Sequence, residues 1–197
     1  MNEQDVYEFY NNTTKIVYVD IEARGNIAPV ELLFEIHAAF DHLKRFHLGE
    51  KTEDEACQKA LIHLKRASLD GYKLILYDFH EHYNKLIGHD TEHLRMIDNG
   101  QFLPKAIKLR NQIVDTARTA RKNEGVTSIE ESFDYWNRVY ALIIQFEKEF
   151  LDDDKIDWAK IEGKTKARRS LRKDVLLALI VGIIAGIIAT VIYNHVF

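Results

Sequence analysis

The densest group of side chains able to do chemistry lies in residues 78–93, DFHEHYNKLIGHDTEH. It combines imidazoles and carboxylates, which are common ligands of zinc and related metals. The candidate ligands are His80, His82, His89, His93 and Asp78. No HExxH motif is present, and a polar helix end with an Asp–His pair near the surface explains the same residues. We therefore predict no bound cofactor and keep a metal site here as the alternative.

The rest of the chain offers no familiar catalytic signature. It has no phosphate-binding glycine loop, no GxSxG elbow and no dinucleotide-binding fingerprint. Its only cysteine, Cys57, excludes an internal disulfide and a cysteine-based zinc site. The sequence therefore predicts no catalytic residue and a protein that is not an enzyme.

The tetrapeptide His-Leu-Lys-Arg occurs twice, at residues 42–45 and 63–66. In both copies helical periodicity places the leucine on an apolar stripe, the histidine beside it and the two cations toward solvent. A turn near residues 49–52 would make the two helices antiparallel neighbours, with the copies offset by about 7 Å. The repeat is then either a common amphipathic pattern or a shared basic surface for a phosphate-bearing partner, made by Lys44, Arg45, Lys65 and Arg66.

Helices are predicted to carry both the polar residues of 78–93 and the two His-Leu-Lys-Arg copies. Apolar residues recur at three- and four-residue spacing, glycines separate the periodic stretches, and capping sequences begin at Thr52 and Ser128. The sequence predicts an all-α, antiparallel cytoplasmic bundle of about five helices, with a short helical turn over 90–98. The predicted helices are 3–24, 28–48, 53–87, 101–123 and 128–161.

The strongest pattern is an uncharged stretch, Val175–Tyr193, VLLALIVGIIAGIIATVIY. As a helix it would span about 28 Å, close to the hydrocarbon thickness of a bilayer. A cluster of cations precedes it, and the positive-inside rule therefore places the N-terminus in the cytoplasm. These cations are Lys164, Lys166, Arg168, Arg169, Arg172 and Lys173. We predict a cytoplasmic domain over 1–163, a basic segment over 164–174 and a single transmembrane helix over 175–195, in the inner membrane if the cell is bacterial.

Small residues recur every four positions within this stretch, at Ala178, Gly182, Gly186 and Thr190. Such a face lets two membrane helices approach closely, so it predicts a homo-oligomer.

The predicted cytoplasmic domain, residues 1–163, is acidic, whereas a nucleic-acid-binding domain is usually basic. The whole chain has 27 basic and 31 acidic residues. Six of the basic residues and Asp174 lie beyond residue 163, so this domain has 21 basic and 30 acidic residues. Bulk nucleic-acid binding is therefore not expected.

The long hairpin around HLKRASLDGYKLILY, followed by further helices and a C-terminal anchor, resembles the HEPN-like all-α proteins of prokaryotes over about residues 28–160. Some of these proteins are membrane-anchored and linked to phage defence, including a pore-forming accessory of an RNA-guided RNase system. Nuclease members carry an Arg followed four to six residues later by His, and no such pair occurs in this chain. The resemblance implies a non-catalytic role with a protein or RNA-linked defence partner.

These patterns predict a tail-anchored, self-associating membrane protein. Its helical domain would bind or sense a partner and couple that event to the membrane, with a pore or another antiviral membrane perturbation as one form of coupling. Two alternatives stay open. One is a divergent HEPN-type ribonuclease or metal-dependent hydrolase at the membrane, and the other is a passive adaptor that recruits a partner to the membrane.

Overall fold

The computed structural model describes residues 1–25, 28–88 and 91–196, with side chains described as far as Ile187. Within these ranges the chain is helical apart from short connections and contains no strand, which confirms the predicted all-α class. The elements are α1 (Glu3–Phe9), a π-helical turn (Tyr10–Thr14), α2 (Lys15–Gly25), α3 (Val30–His47), α4 (Glu53–Ile87), a 3-10 helix (His93–Gly100), α5 (Phe102–Asn123), α6 (Ile129–Phe150) and α7 (Asp153–Val196).

The chain divides into two compact units. The first unit contains residues 1–89 and 105–151, and the second contains residues 90–104 and 152–197. Both units are therefore assembled from segments that are separated in the sequence. The sequence-based division at residues 163 and 174 remains a prediction.

The α3–α4 hairpin is the centre of the first unit. Gly49 closes the turn with a φ of 73°, a left-handed conformation that glycine adopts without strain. Thr52 then begins α4 with a capping box, in which its hydroxyl accepts from the Glu55 amide at 3.3 Å. Small residues on α4 let neighbouring helices approach closely. A Cβ on Gly71 would overlap Val17 Cγ1 of α2 and lie 3.2 Å from Leu32 Cδ2 of α3.

The predicted helix over 3–24 contains a π-helical turn that the sequence does not signal. The turn ends at Thr14, whose buried hydroxyl donates to the Leu64 carbonyl oxygen at 3.3 Å and lies 3.1 Å from the Ser68 hydroxyl. Val6 before the turn and Val17 after it are both buried. The turn therefore keeps both segments against α4 while giving a buried threonine its hydrogen-bond partners.

Three details of the predicted helices are wrong. The predicted helix over 128–161 ends at Phe150, and a new helix begins after Asp152, whose carboxylate accepts from the Lys155 amide at 3.2 Å. An aspartate in this position starts a helix, and here it outweighs the periodic pattern. Phe40 and Leu74, which share the three- and four-residue spacing of the apolar stripes, are exposed. On α4 the buried stripe continues instead through Ile75.

The second unit consists of the 3-10 helix packed on α7. Leu94 and Ile97 of the 3-10 helix are buried, as is Ala159 of α7. At Gly163 a Cβ would lie 3.4 Å from His93 Cβ, so a residue without a side chain allows this approach. Asp98, Asn99 and Gly100 all have positive φ and interrupt the regular helical backbone before α5.

Helix α7 continues without interruption through the predicted basic segment and into the predicted membrane span. Every Val, Leu and Ile side chain from Val175 to Ile187 is exposed, with 47–64% of its surface accessible. Over the residues that the structure describes, no helix has the length and apolarity needed to cross a membrane. Side chains 188–195 of the predicted span lie outside the described residues.

Candidate functional site

The predicted metal ligands on α4 occupy two separate environments. His82 Nδ1 lies 3.2 Å from the Asp78 carboxylate and 3.1 Å from its carbonyl oxygen, one helical turn earlier. His80 lies against Phe79, with ring centroids 5.5 Å apart. Desolvation, and secondarily the positive charge of Arg110, lowers the pKa of His80. The Asp–His pair therefore has the geometry of the helix-end alternative.

The other two predicted ligands are His89 and His93. His93 belongs to the second unit, and His89 lies outside the described residues. In the described part of the chain, no group of three or more His, Cys, Asp and Glu side chains is placed to hold a metal ion.

An ion cluster centred on Arg24 joins three helices of the first unit. Its Nε lies 2.9 Å from Asp20 Oδ1 on α2, and its Nη1 lies 3.2 Å from Asp78 Oδ2 on α4. Both terminal nitrogens bond to the two Glu147 carboxylate oxygens on α6, with Nη2 at 2.5 Å from Oε2. Only 14% of the Arg24 side chain is exposed. Desolvation opposes the charge, but hydrogen bonds and attraction from Glu147 and Asp20 outweigh it and raise the Arg24 pKa.

Two tyrosines extend this cluster into the core. The Tyr140 hydroxyl donates to Asp20 Oδ2 at 3.2 Å, and the Tyr140 ring stacks on Tyr72 with centroids 5.0 Å apart. The Tyr72 hydroxyl donates to Asn137 Oδ1 at 3.1 Å. Desolvation first, and then the Asp20 carboxylate, raises the pKa of Tyr140 to about 12. Both phenols therefore stay protonated at neutral pH and serve as hydrogen-bond donors.

Sequence reasoning missed this cluster. The only local signal is the spacing of Asp20 and Arg24, which are four residues apart on one helix. Asp78 and Glu147 are 54 and 123 residues from Arg24. Their convergence depends on how α2, α4 and α6 pack, which no spacing in the sequence predicts. With three carboxylates satisfied by one guanidinium, the arrangement is suited to holding helices together.

The two copies of His-Leu-Lys-Arg meet through their histidines. The rings of His42 on α3 and His63 on α4 stack with centroids 5.1 Å apart and an interplanar angle of 27°. His63 Nδ1 lies 2.7 Å from Glu35 Oε2, and Lys51 Nζ lies 3.5 Å from His42 Nδ1. The predicted antiparallel pairing therefore brings the copies into direct contact.

The two cations of the first copy share one partner, whereas those of the second copy lie in different environments. Lys44 and Arg45 both bond to Asp41 on their own helix, at 2.6 and 3.0 Å. The Lys65 amine lies 3.1 Å from Glu130 of α6, and only 13% of its side chain is exposed. Its predicted orientation toward solvent is wrong because α6 packs against that side of α4. Arg66 is exposed, as expected.

Arg66 lies at a cavity of about 360 Å³ in the first unit. Lys73 in this cavity bonds to Asp70 at 3.2 Å and also to Glu124. Its amine lies 5.8 Å from the centre of the Trp136 ring, a cation–π distance. The cavity is thus lined by charges that largely neutralise one another. Its lining residues are Glu35, Arg66, Leu69, Asp70, Lys73, Glu124, Gly125, Thr127, Ile129 and Ser132.

The predicted membrane-proximal residues lie along α7. All six basic residues are exposed, and none forms an ion pair within the described part of the chain; they are Lys164, Lys166, Arg168, Arg169, Arg172 and Lys173. Ala178 and Gly182 are exposed on the same helix, and a Cβ at Gly182 or at Gly186 would meet no atom within 4 Å. The Thr190 side chain lies outside the described residues.

No protein-family model, curated protein or solved structure matches this chain. The resemblance to HEPN-like proteins therefore stays a prediction from the sequence.

Proposed function

We propose that this chain is a membrane-anchored binding protein. The C-terminal half of α7 would lie in the bilayer, and the first unit would bind a partner on the cytoplasmic side. The observation that carries the proposal is the ring of exposed Val, Leu and Ile side chains from Val175 to Ile187. A helix that is apolar on every side is unfavourable in water, whereas lipid is a suitable solvent for it.

The energy of insertion supports this proposal. Val175–Tyr193 contains twelve Leu, Ile and Val residues. At the centre of a membrane helix these residues together contribute about −4 to −7 kcal/mol to insertion. The six exposed cations just before the span would remain in the cytoplasm, where they can also contact anionic headgroups.

Self-association is the second part of the proposal. In lipid, helices associate through close packing, which small residues permit, rather than through hydrophobicity. Gly182 and Ala178 supply such a face on an exposed part of α7. Several copies around an axis would also be required for any pore. Coupling between partner binding and the membrane would then pass along α7.

Cysteine labelling tests the topology, because the only natural cysteine, Cys57, is buried. In a Cys57→Ala background, we expect an impermeant maleimide to label Asn194→Cys on intact cells of an expression host. Lys164→Cys should react only after permeabilisation. The reverse pattern, or protection of both sites in permeabilised cells, would contradict a single cytoplasm-to-outside crossing.

Crosslinking in membranes tests self-association. Gly182→Ile should keep insertion, since isoleucine is apolar, and should lower the amount of crosslinked oligomer by blocking backbone approach. Ile180→Leu, an apolar exchange on the other side of the helix, is the matched control and should leave the oligomer unchanged. An oligomer unaffected by Gly182→Ile would show that other contacts hold the copies together.

A further inference from the structure

The turn between α3 and α4 gathers hydrogen-bond donors from both copies of the repeated tetrapeptide. We propose that Arg45, Lys51 and Lys59, together with the stacked His42 and His63, form a binding site for a phosphate group. The inference names the chemistry of the partner in the proposed function, and it rests on the partner-binding role of the first unit and not on the membrane anchor.

The hydrogen-bond roles at the two imidazoles follow from their neighbours. A lysine ammonium only donates, so His42 Nδ1, 3.5 Å from Lys51 Nζ, must accept, and the His42 proton then resides on Nε2. A carboxylate only accepts, so His63 Nδ1 donates to Glu35 Oε2 at 2.7 Å. His42 therefore presents a donor at Nε2, and the bond to Glu35 holds the His63 ring that stacks on it.

The local charges repel one another in the absence of an anion. Desolvation lowers the pKa of Lys51, and the next causes are the neighbouring positive charges of Lys59 and Arg45. The pKa of His42 is lowered in the same way, first by desolvation and then by Lys51, His63, Lys59 and Arg45. These shifts indicate a concentrated positive potential, which a bound anion would relieve.

Four acidic groups near the turn are already engaged, whereas Glu50 in the turn itself has no described ion pair. Glu35 bonds to His63, and Asp41 bonds to both Lys44 and Arg45. At the start of α4, Glu55 closes the capping box with Thr52. Asp54 pairs with the N-terminal amine at 3.2 Å. These pairs leave Lys51 and Lys59 without a described carboxylate salt bridge.

A phosphate group fits this arrangement better than a carboxylate. It has more acceptor oxygens and up to two negative charges, and both lysine and arginine are frequent phosphate ligands. The Nε2 donor of His42, the two lysine amines and the guanidinium of Arg45 can bond to different oxygens of one tetrahedral group. A single carboxylate would leave most of the positive charge uncompensated.

Calorimetric titration of the full chain in maltoside detergent with pyrophosphate at pH 7 tests the site. We expect saturable binding that Lys51→Met and Lys59→Met each weaken about tenfold or more, since hydrogen bonds to charged groups contribute about 1.5–3 kcal/mol. Lys148→Met, an exposed lysine of α6, is the matched control. No binding in the low millimolar range, or equal loss in the control, would overturn the proposal.

The role of the imidazoles has its own readout. Sulfate stays a dianion from pH 5.5 to 7.5, so its affinity reports only on the protein. Because an anion stabilises a charged His42, sulfate should bind more tightly as the pH falls below about 6.5. His42→Gln should flatten this dependence. A wild-type affinity that does not change with pH would remove the imidazoles from the site.

Neutral-lipid nanodiscs with and without phosphatidic acid separate two sources of the phosphate. Unchanged pyrophosphate affinity in both supports a soluble phosphate-bearing ligand. Competition by phosphatidic acid that Lys51→Met abolishes supports a lipid headgroup at the same site. Competition that persists in Lys51→Met while pyrophosphate still binds equally well would contradict a site at this turn.

Discussion

The ion cluster at Arg24 gives the sharpest test of how the first unit is held together. Replacing Arg24 by methionine keeps a similar length but removes the guanidinium that Asp20, Asp78 and Glu147 share. Asp20 would keep its bond from Tyr140, and Asp78 would keep His82. Glu147 would lose both bonds from Arg24.

The loss of stability expected for Arg24→Met follows from the burial of the ion cluster. Removing one partner from a buried ion pair typically costs about 3–5 kcal/mol, because the remaining charge is left uncompensated. The four side chains here retain 14–28% exposure, so water screens part of the penalty. We expect a loss of about 2–3 kcal/mol in the free energy of unfolding, a large share of the about 5–15 kcal/mol typical of folded proteins.

Trp136 provides the assay, because it is fully buried in the first unit. In a Trp158→Phe background, its fluorescence during urea unfolding reports on this unit alone. Arg118→Met is the matched control, since Arg118 pairs with Asp115 at the surface and its loss should cost less than about 1 kcal/mol.

A double variant separates lost charge pairing from lost packing. Replacing both Arg24 and Glu147 by apolar residues removes the most strongly uncompensated carboxylate, so this variant should be more stable than Arg24→Met alone. Equal stability of Arg24→Met and Arg118→Met would refute the reasoning, because the cluster would then contribute no more than a surface pair.

Two further changes follow from the packing and from the histidine pKa values. Gly71→Ala should destabilise the first unit by about 1–3 kcal/mol through overlap with Val17, whereas Gly182→Ala should not, as measured by Trp136 fluorescence in urea. His42 and His80 have lowered pKa values, so the unfolded chain binds protons more tightly, and stability should fall as the pH drops below about 6.5. Replacing both by glutamine should flatten this loss; a stability that rises on acidification would contradict the assignment.

Local signals in the sequence predicted the helices well where a cap was present. Thr52 and Ser128 both accept a hydrogen bond from the amide three residues on, and the helices begin there as expected. The break after Phe150 was missed because apolar periodicity continues past it. Only the capping geometry of Asp152 distinguishes two helices from one.

The polar contacts between helices were not predictable in the same way. The pattern correctly placed Leu43 and Leu64 in the core, and the antiparallel hairpin followed from the turn. Which polar side chains of two paired helices form contacts depends on how each helix is rotated about its axis. It also depends on which further helix packs against the pair. Lys65 illustrates this: its spacing marks a solvent-facing residue, but α6 supplies Glu130 as a partner.

Carbonate extraction tests the central claim, that the C-terminal half of α7 anchors the chain in a bilayer, most directly. Ile180→Lys with Ile184→Lys is the control variant, since two central lysines cost about 5–7 kcal/mol, enough to cancel the favourable insertion energy. We predict that the natural chain stays in the membrane pellet at alkaline pH and that the double-lysine variant is released. Release of the natural chain into the supernatant would contradict the account.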